Sequence, residues 1–149
     1  MKAKIVNPLY CTFCDPCNQL AYQTPGSAGM DIIACVHEPV VLLSGGQAVI
    51  GGGVAVHIED RNLAGMLLPR SGLGSRGIVL GNLVGLIDSD YTGEIKVVLW
   101  NRSFLRYTVQ PGDRIAQLVV VRVARPQIEW VDSLDKTHRG DVGFGSTGK

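Results

Sequence analysis

At 149 residues the chain has the length of one domain, enough to bury roughly two thirds of its unfolded surface around a single core. Hydrophobic residues at 46% and charged residues at 18% exclude a disordered chain, while 19 glycines and 7 prolines fit many turns between short strands, as in an all-β sandwich or barrel. A formal net charge of +1 supplies no overall field toward nucleic acid or membrane, so an anionic ligand must be caught locally.

Met1-Lys2-Ala3-Lys4 runs into a first strand at Lys4 to Val6 with no signal-peptide apolar region, and no apolar run approaches membrane-spanning length. A soluble, cytoplasmic protein is expected. Cys11, Cys14 and Cys17 follow at a spacing that suits three zinc ligands, with Cys35 or His37 as a fourth; free thiols in a reducing cytosol are the plainer alternative. Tyr22 to Ser27 is a turn-rich lead into an apolar strand from Met30 to Val36, which Asp31 opens.

Val40 to Leu43, Gln47 to Ile50 and Val54 to Ile58 are predicted as three short strands separated by Ser44-Gly45-Gly46 and Gly51-Gly52-Gly53. His57 alternates with Val56 and Ile58 and is read as structural. Ala64 to Leu68 is another buried strand. After it, Pro69-Arg70-Ser71 opens the one expected helix, running to about Arg76. An arginine and a hydroxyl at a helix start suit an anion; a serine there can also be a plain cap.

Gly81-Asn82-Leu83-Val84-Gly85-Leu86-Ile87-Asp88-Ser89-Asp90-Tyr91-Thr92-Gly93-Glu94-Ile95 reads as a strand, a tight turn and a returning strand, with two carboxylates and a phenol at the bend. Asp88 follows Leu86-Ile87, where a buried strand meets solvent, and a carboxylate there can hold a water and take its proton. Turn aspartates that bond their own backbone are the alternative. Glu94 to Trp100 is a long strand, Pro111-Gly112-Asp113 turns the chain, and Arg114 to Val123 follows with Gln117 as a lone amide in an apolar run. Such an amide needs either a buried hydrogen bond or a role. A last strand is expected at about Gln127 to Val131. From Asp132 the chain turns polar and glycine-rich, and a tail over 136–149 cannot bury a core of its own.

Five stretches, in order, carry a resemblance: Ala28-Gly29-Met30-Asp31; Pro69-Arg70-Ser71-Gly72-Leu73-Gly74; the Gly81 to Ile95 segment; Asp113-Arg114-Ile115-Ala116-Gln117-Leu118; and Arg139-Gly140-Asp141-Val142-Gly143-Phe144-Gly145-Ser146-Thr147-Gly148. Together they resemble the five motifs of the trimeric dUTPase family, over Tyr22 to Gly148. One such motif would be weak; five in this order are specific.

The resemblance implies an all-β, jelly-roll-like subunit of a homotrimer, with a core over 1–135 and a tail over 136–149 that closes on a neighbour's site. It implies magnesium-dependent hydrolysis of dUTP to dUMP and pyrophosphate, which limits uracil in DNA and supplies dUMP for dTMP synthesis. Matching residues take family roles: Asp88 as the base that positions water and bonds the 3′-hydroxyl, and Asp31 at the metal through water. Arg70, Ser71 and Gly72 fall on the triphosphate and Gln117 on the α-phosphate. Asn82, Leu86, Ile87 and Lys96 fall in or near the uracil pocket, and Tyr91 against C2′. Arg139, Ser146 and Thr147 fall on the β- and γ-phosphates, with Phe144 stacked on uracil. Each site is expected to join the Asp31, Ser71 and Gln117 segments of one subunit, the Asp88 segment of a second and the tail of a third.

Three departures stand out: Val142 where glycine is usual, the cysteine-bearing insertion, and Ala21 where proline is common. Valine resists the positive φ that glycine accepts. A dCTP deaminase shares the fold, but a glutamate suited to deamination would be expected in its base pocket. The Asp88 to Gly93 pattern fits hydrolysis better. A non-catalytic interaction protein on an inherited fold would be expected to lack Asp88, Arg70 or the tail.

Overall fold

Period-two alternation of apolar and polar residues decides which strand faces meet. The computed structural model describes residues 1–13 and 20–141. Among them, β1 (Lys2–Ile5), β4 (Gln47–His57), β8 (Glu94–Asn101) and β6 (Ile78–Leu80) form one antiparallel sheet in the order β1-β4-β8-β6. A second sheet has the order β2-β10-β5-β7, built from β2 (Met30–Ile33), β10 (Arg114–Arg122), β5 (Leu63–Leu68) and β7 (Gly85–Ile87). A ribbon pairs β3 (Val40–Leu42) with β9 (Tyr107–Val109). The expected all-β, jelly-roll-like architecture is what these sheets make.

In β8, Ile95, Val97 and Leu99 are buried while Lys96 between them is exposed, and in β10 Ile115, Ala116 and Leu118 are buried. These meet Ile32, Ile50, Val56 and Leu67 in one core. Asn101 is the fully buried polar exception: its Nδ2 donates to the carbonyls of Leu42 at 3.0 Å and Leu105 at 2.8 Å, and its Oδ1 accepts from the Ser103 N–H at 2.9 Å. A satisfied amide in that position ties β8 to the ribbon.

Four details depart from the sequence reading. The triple glycine does not split two strands: β4 runs through it for 11 residues, with a register shift against β8 between Gly51 and Ala55. Glu94 explains this, because its Oε1 accepts the Gly53 N–H at 3.0 Å and satisfies an amide that the shifted ladder cannot. Gly53 has φ +71°, and a Cβ on it would lie 2.6 Å from Cys35 Sγ. Second, two helical turns are present among the described residues rather than one: α1 (Tyr10–Phe13) and α2 (Ser71–Gly74), the latter ending before Arg76.

Third, the predicted strand at Gln127 to Val131 has no strand partner among the described residues. Val123 N–H bonds Asn62 O at 2.9 Å, and residues 124–141 are then exposed. A strand exists only with an edge to pair with, and the chain leaves its own sheets here.

Fourth, the Gly81 to Ile95 segment is not a hydrogen-bonded hairpin. β7 pairs with β5 in the second sheet, whereas the returning β8 pairs with β4 and β6 in the first. Residues 88–93 therefore cross between the sheets. His57 is half-buried between buried Val56 and Ile58, as its alternation requires. No helix among the described residues is long and apolar enough to cross a membrane.

Candidate active site

Register brings three distant segments together at one end of the second sheet. Gln117 lies opposite Asp31 on one side and opposite Leu68 on the other, so the start of β2, the middle of β10 and the end of β5 are neighbours. Pro69-Arg70-Ser71-Gly72 leaves β5 at that point. Arg70 Nε sits 2.8 Å from Asp31 Oδ1, and Arg114 Nη1 sits 3.2 Å from Asp31 Oδ2. Gln117 Nε2 donates to the Pro69 carbonyl at 3.0 Å. The amide that the sequence left needing a partner has one, and it still carries a second N–H.

These groups line an open cleft of about 450 Å³, with Asp31, Arg70, Ser71, Gly72 and Gln117 all on its wall. Ser71 is not a cap: Arg70 occupies the N-cap position, no side chain caps the helix, and the serine is exposed. Gly72 adds no side chain to the wall, and a Cβ there would meet nothing within 4 Å. Two guanidinium groups against one carboxylate leave the cleft with a surplus positive charge, which suits a polyanion. Gln23, Ser27 and Arg114 also line it and were not singled out in the sequence. Arg114 stands inside a quoted motif, and its position at the exposed start of an apolar strand was the available signal.

The remaining described candidates do not line this cleft. Asn82 is exposed in the turn after β6, with its Nδ2 about 3.5 Å from where a Cβ on Gly85 would stand. Next to it, Leu83 has φ 63°, a left-handed conformation uncommon for a leucine and a mark of local strain. Leu86 is exposed, Ile87 half-buried, and Lys96 exposed on the outer face of β8 opposite Gly51. Tyr91 folds over Gly93: its hydroxyl donates to the Glu94 carbonyl at 2.9 Å, and a Cβ on Gly93 would be 2.5 Å from that oxygen.

Asp88 is exposed, and its backbone carbonyl accepts the Tyr91 N–H at 3.2 Å. Among the described residues neither the Asp88 nor the Asp90 carboxylate accepts a turn hydrogen bond. Ser89 anchors the crossing instead, buried and with its carbonyl accepting the Glu59 N–H at 3.1 Å.

Asp88 and the cleft lie at opposite ends of β5, whereas Gly85, paired with Leu67, stands at the cleft end. Ile87 pairs with Gly65, which puts Asp88 beside Ala64, while Arg70 lies beyond Leu68. Ala64 to Leu68 alone spans about 14 Å of extended strand. Within one chain, Asp88 is thus set apart from the charged cleft by most of the length of β5.

Arg139 is exposed in the segment after β10 and does not line the cleft. Phe144, Ser146, Thr147 and Val142 lie outside the described residues, as do Cys14 and Cys17. Cys11 is exposed and Cys35 buried. No group of three or more His, Cys, Asp or Glu side chains able to hold a metal occurs among the described residues.

Residues 15–148 match the model of the dUTPase family. The deoxyuridine 5'-triphosphate nucleotidohydrolase of Aromatoleum aromaticum is 57% identical over 130 residues, 87% of each chain. That of Sodalis glossinidius is 50% identical over 150 residues, covering 100% of this chain and 99% of its own. Among solved structures, the Staphylococcus bacteriophage 80alpha dUTPase with dUPNHPP is similar at TM-score 0.81 and 26% identity, over 99% of this chain and 98% of that one. The dUTPase of phage phi11 of S. aureus, 23% identical with TM-score 0.75, covers 91% of this chain and 98% of its own and shares the fold.

Proposed function

The chain belongs to the dUTPase family and hydrolyses dUTP, and we propose that it works as a magnesium-dependent homotrimer in which water attacks the α-phosphorus. The observation that carries this reading is the cleft that gathers Arg70, Ser71, Gly72 and Gln117 around Asp31, with no carboxylate free of an arginine among its described lining residues. A second chain's Asp88 completes it. The exposed segment after Val123, with Ile128, Trp130 and Leu134 at 73%, 92% and 88% exposure, supports contact with another copy, since such apolar groups call for a covering surface.

Asp88 orients the water and takes its proton as oxygen attacks phosphorus; the bond to the α,β-bridging oxygen breaks and pyrophosphate leaves. Arg70, Ser71 and Gly72 hold the phosphates, the serine hydroxyl lying near the bridging oxygen. Gln117 donates to the α-phosphate, where negative charge grows. Backbone groups of Leu86 and Ile87, with Asn82 and Lys96 nearby, match the uracil edge. Cytosine would set a donor against a donor there, and a mismatched buried hydrogen bond discriminates by about 10⁴ or more. Tyr91 fills the space a 2′-hydroxyl would need. Arg139, Ser146 and Thr147 cover the outer phosphates while Phe144 stacks on the base.

This donor set fits magnesium as a hydrated ion that Asp31 would hold through water. Each oxygen of Asp31 accepts one arginine and keeps a lone pair that a metal-bound water could use, and among the described residues no second carboxylate lines the cleft. Bound there, the ion supplies neutralisation of triphosphate charge.

Pyrophosphate release measured with each dNTP and with UTP, with and without magnesium, tests the reading. Release from dUTP alone and only with the metal is the expected result. Ammonia from dCTP would point to deamination instead, and turnover of UTP at the dUTP rate would remove the sugar role of Tyr91.

A further inference from the structure

One carboxylate is shared by two arginines at the cleft. Asp31, with a side chain only 15% exposed, gives Oδ1 to Arg70 Nε at 2.8 Å and Oδ2 to Arg114 Nη1 at 3.2 Å. Arg70 Nη1 donates in turn to the Arg114 carbonyl at 3.5 Å, so the three residues close a ring. Arg114 reaches Asp31 from an irregular point of its strand, where the register against β2 shifts between Arg114 and Ala116. Such a bulge re-aims a side chain.

Consider the carboxylate without Arg114. Both oxygens would be open to Arg70, whose planar fork matches a carboxylate in bidentate fashion. Arg70 would then be neutralised by Asp31 and turned from the cleft. With Arg114 on Oδ2, Arg70 is held through Nε alone on Oδ1, and the cluster of two cations and one anion keeps one positive charge in excess. The second cation divides the carboxylate and leaves the first available.

We propose that Arg114 is a positioning residue that, by occupying Oδ2 of Asp31, keeps Arg70 presented to the triphosphate and the cleft electropositive. This rests on the reading of the cleft as the phosphate site. It predicts an effect on binding more than on the chemical step, because the charge acts on bound triphosphate before and during reaction alike.

The test measures the Kd of the α,β-imido analogue of dUTP and the KM and kcat for dUTP, each over a range of salt, in wild type, Arg114→Gln and Arg114→Lys. Glutamine is shorter than arginine, withdraws from Oδ2 of Asp31 and carries no charge. It should raise Kd and KM about tenfold, change kcat less than about threefold, and flatten the salt dependence. Lysine restores the charge and should recover most of the affinity and the salt dependence. Wild-type Kd and KM in Arg114→Gln overturn the proposal, as does a lysine variant as weak as the glutamine one. Thermal melting of each variant separates these effects from misfolding. A wild type that binds the analogue through Arg114 yet hydrolyses no dUTP would sink the catalytic reading and leave this one standing.

Discussion

Gln117 Nε2 donates to the carbonyl oxygen of Pro69 at 3.0 Å, which ties an amide in the middle of β10 to the residue just ahead of Arg70. One N–H of the amide is thereby fixed and its geometry sets where the other points. Gln117→Leu keeps the volume and removes both donors. A kcat lowered about 10²-fold with a smaller change in KM is expected, as for loss of one donor to developing charge. Unchanged kcat in steady-state assays would confine Gln117 to holding Pro69.

Asp88 has no turn hydrogen bond to its carboxylate among the described residues, so its exposed oxygens are open to water. Asp88→Asn keeps the shape and a hydrogen-bonding group and loses the base. Binding of the dUTP analogue should stay within a few-fold of wild type while kcat falls by about 10² or more. A near-normal kcat would remove Asp88 from the mechanism.

The alternation of Ile95, Val97 and Leu99 with Lys96 was legible from sequence because burial follows a period of two, and β8 emerged as read. The charged cleft was legible only residue by residue. That Arg70 and Asp31 pair, and that Arg114 joins them, depends on the register between β2, β10 and β5, which no local pattern encodes. The triple glycine misled for a related reason: glycine signals a break until a distant side chain, here Glu94, satisfies the amide it exposes. The Gly81 to Ile95 stretch has the composition of a hairpin, yet its two strands found partners in different sheets. Pairing partners are a tertiary choice, and turn residues alone do not make it.

Asn101 tests the strength of the tie between β8 and the ribbon. Asn101→Ala would strip the Leu42 and Leu105 carbonyls of a donor and the Ser103 N–H of an acceptor in a buried setting. A loss of about 2–4 kcal/mol in denaturant unfolding is expected, with the m-value unchanged. A loss below about 0.5 kcal/mol would mean that water replaces the amide without cost.

The separation of Asp88 from the cleft along β5 gives the assembly a direct test. If the cleft comes from one chain, the Asp88 segment from a second and the tail from a third, two different dead chains can make a live site. Asp88→Asn chains keep the tail; chains ending at Asp135 keep the Asp88 segment. Each alone should be inactive. In trimers formed by random equal mixing, a site works when its Asp88 contributor is a truncated chain and its tail contributor is an Asp88→Asn chain. With one half for each independent choice in a cyclic assembly, roughly a quarter of sites should recover. Co-expression with two affinity tags isolates the mixed trimers, each of which holds one live site in three, so dUTP turnover per isolated trimer should reach about a third of wild type. Verified mixed trimers that fold and remain inactive would show that the Asp88 segment and the tail act from one chain, and the three-chain site would have to be abandoned.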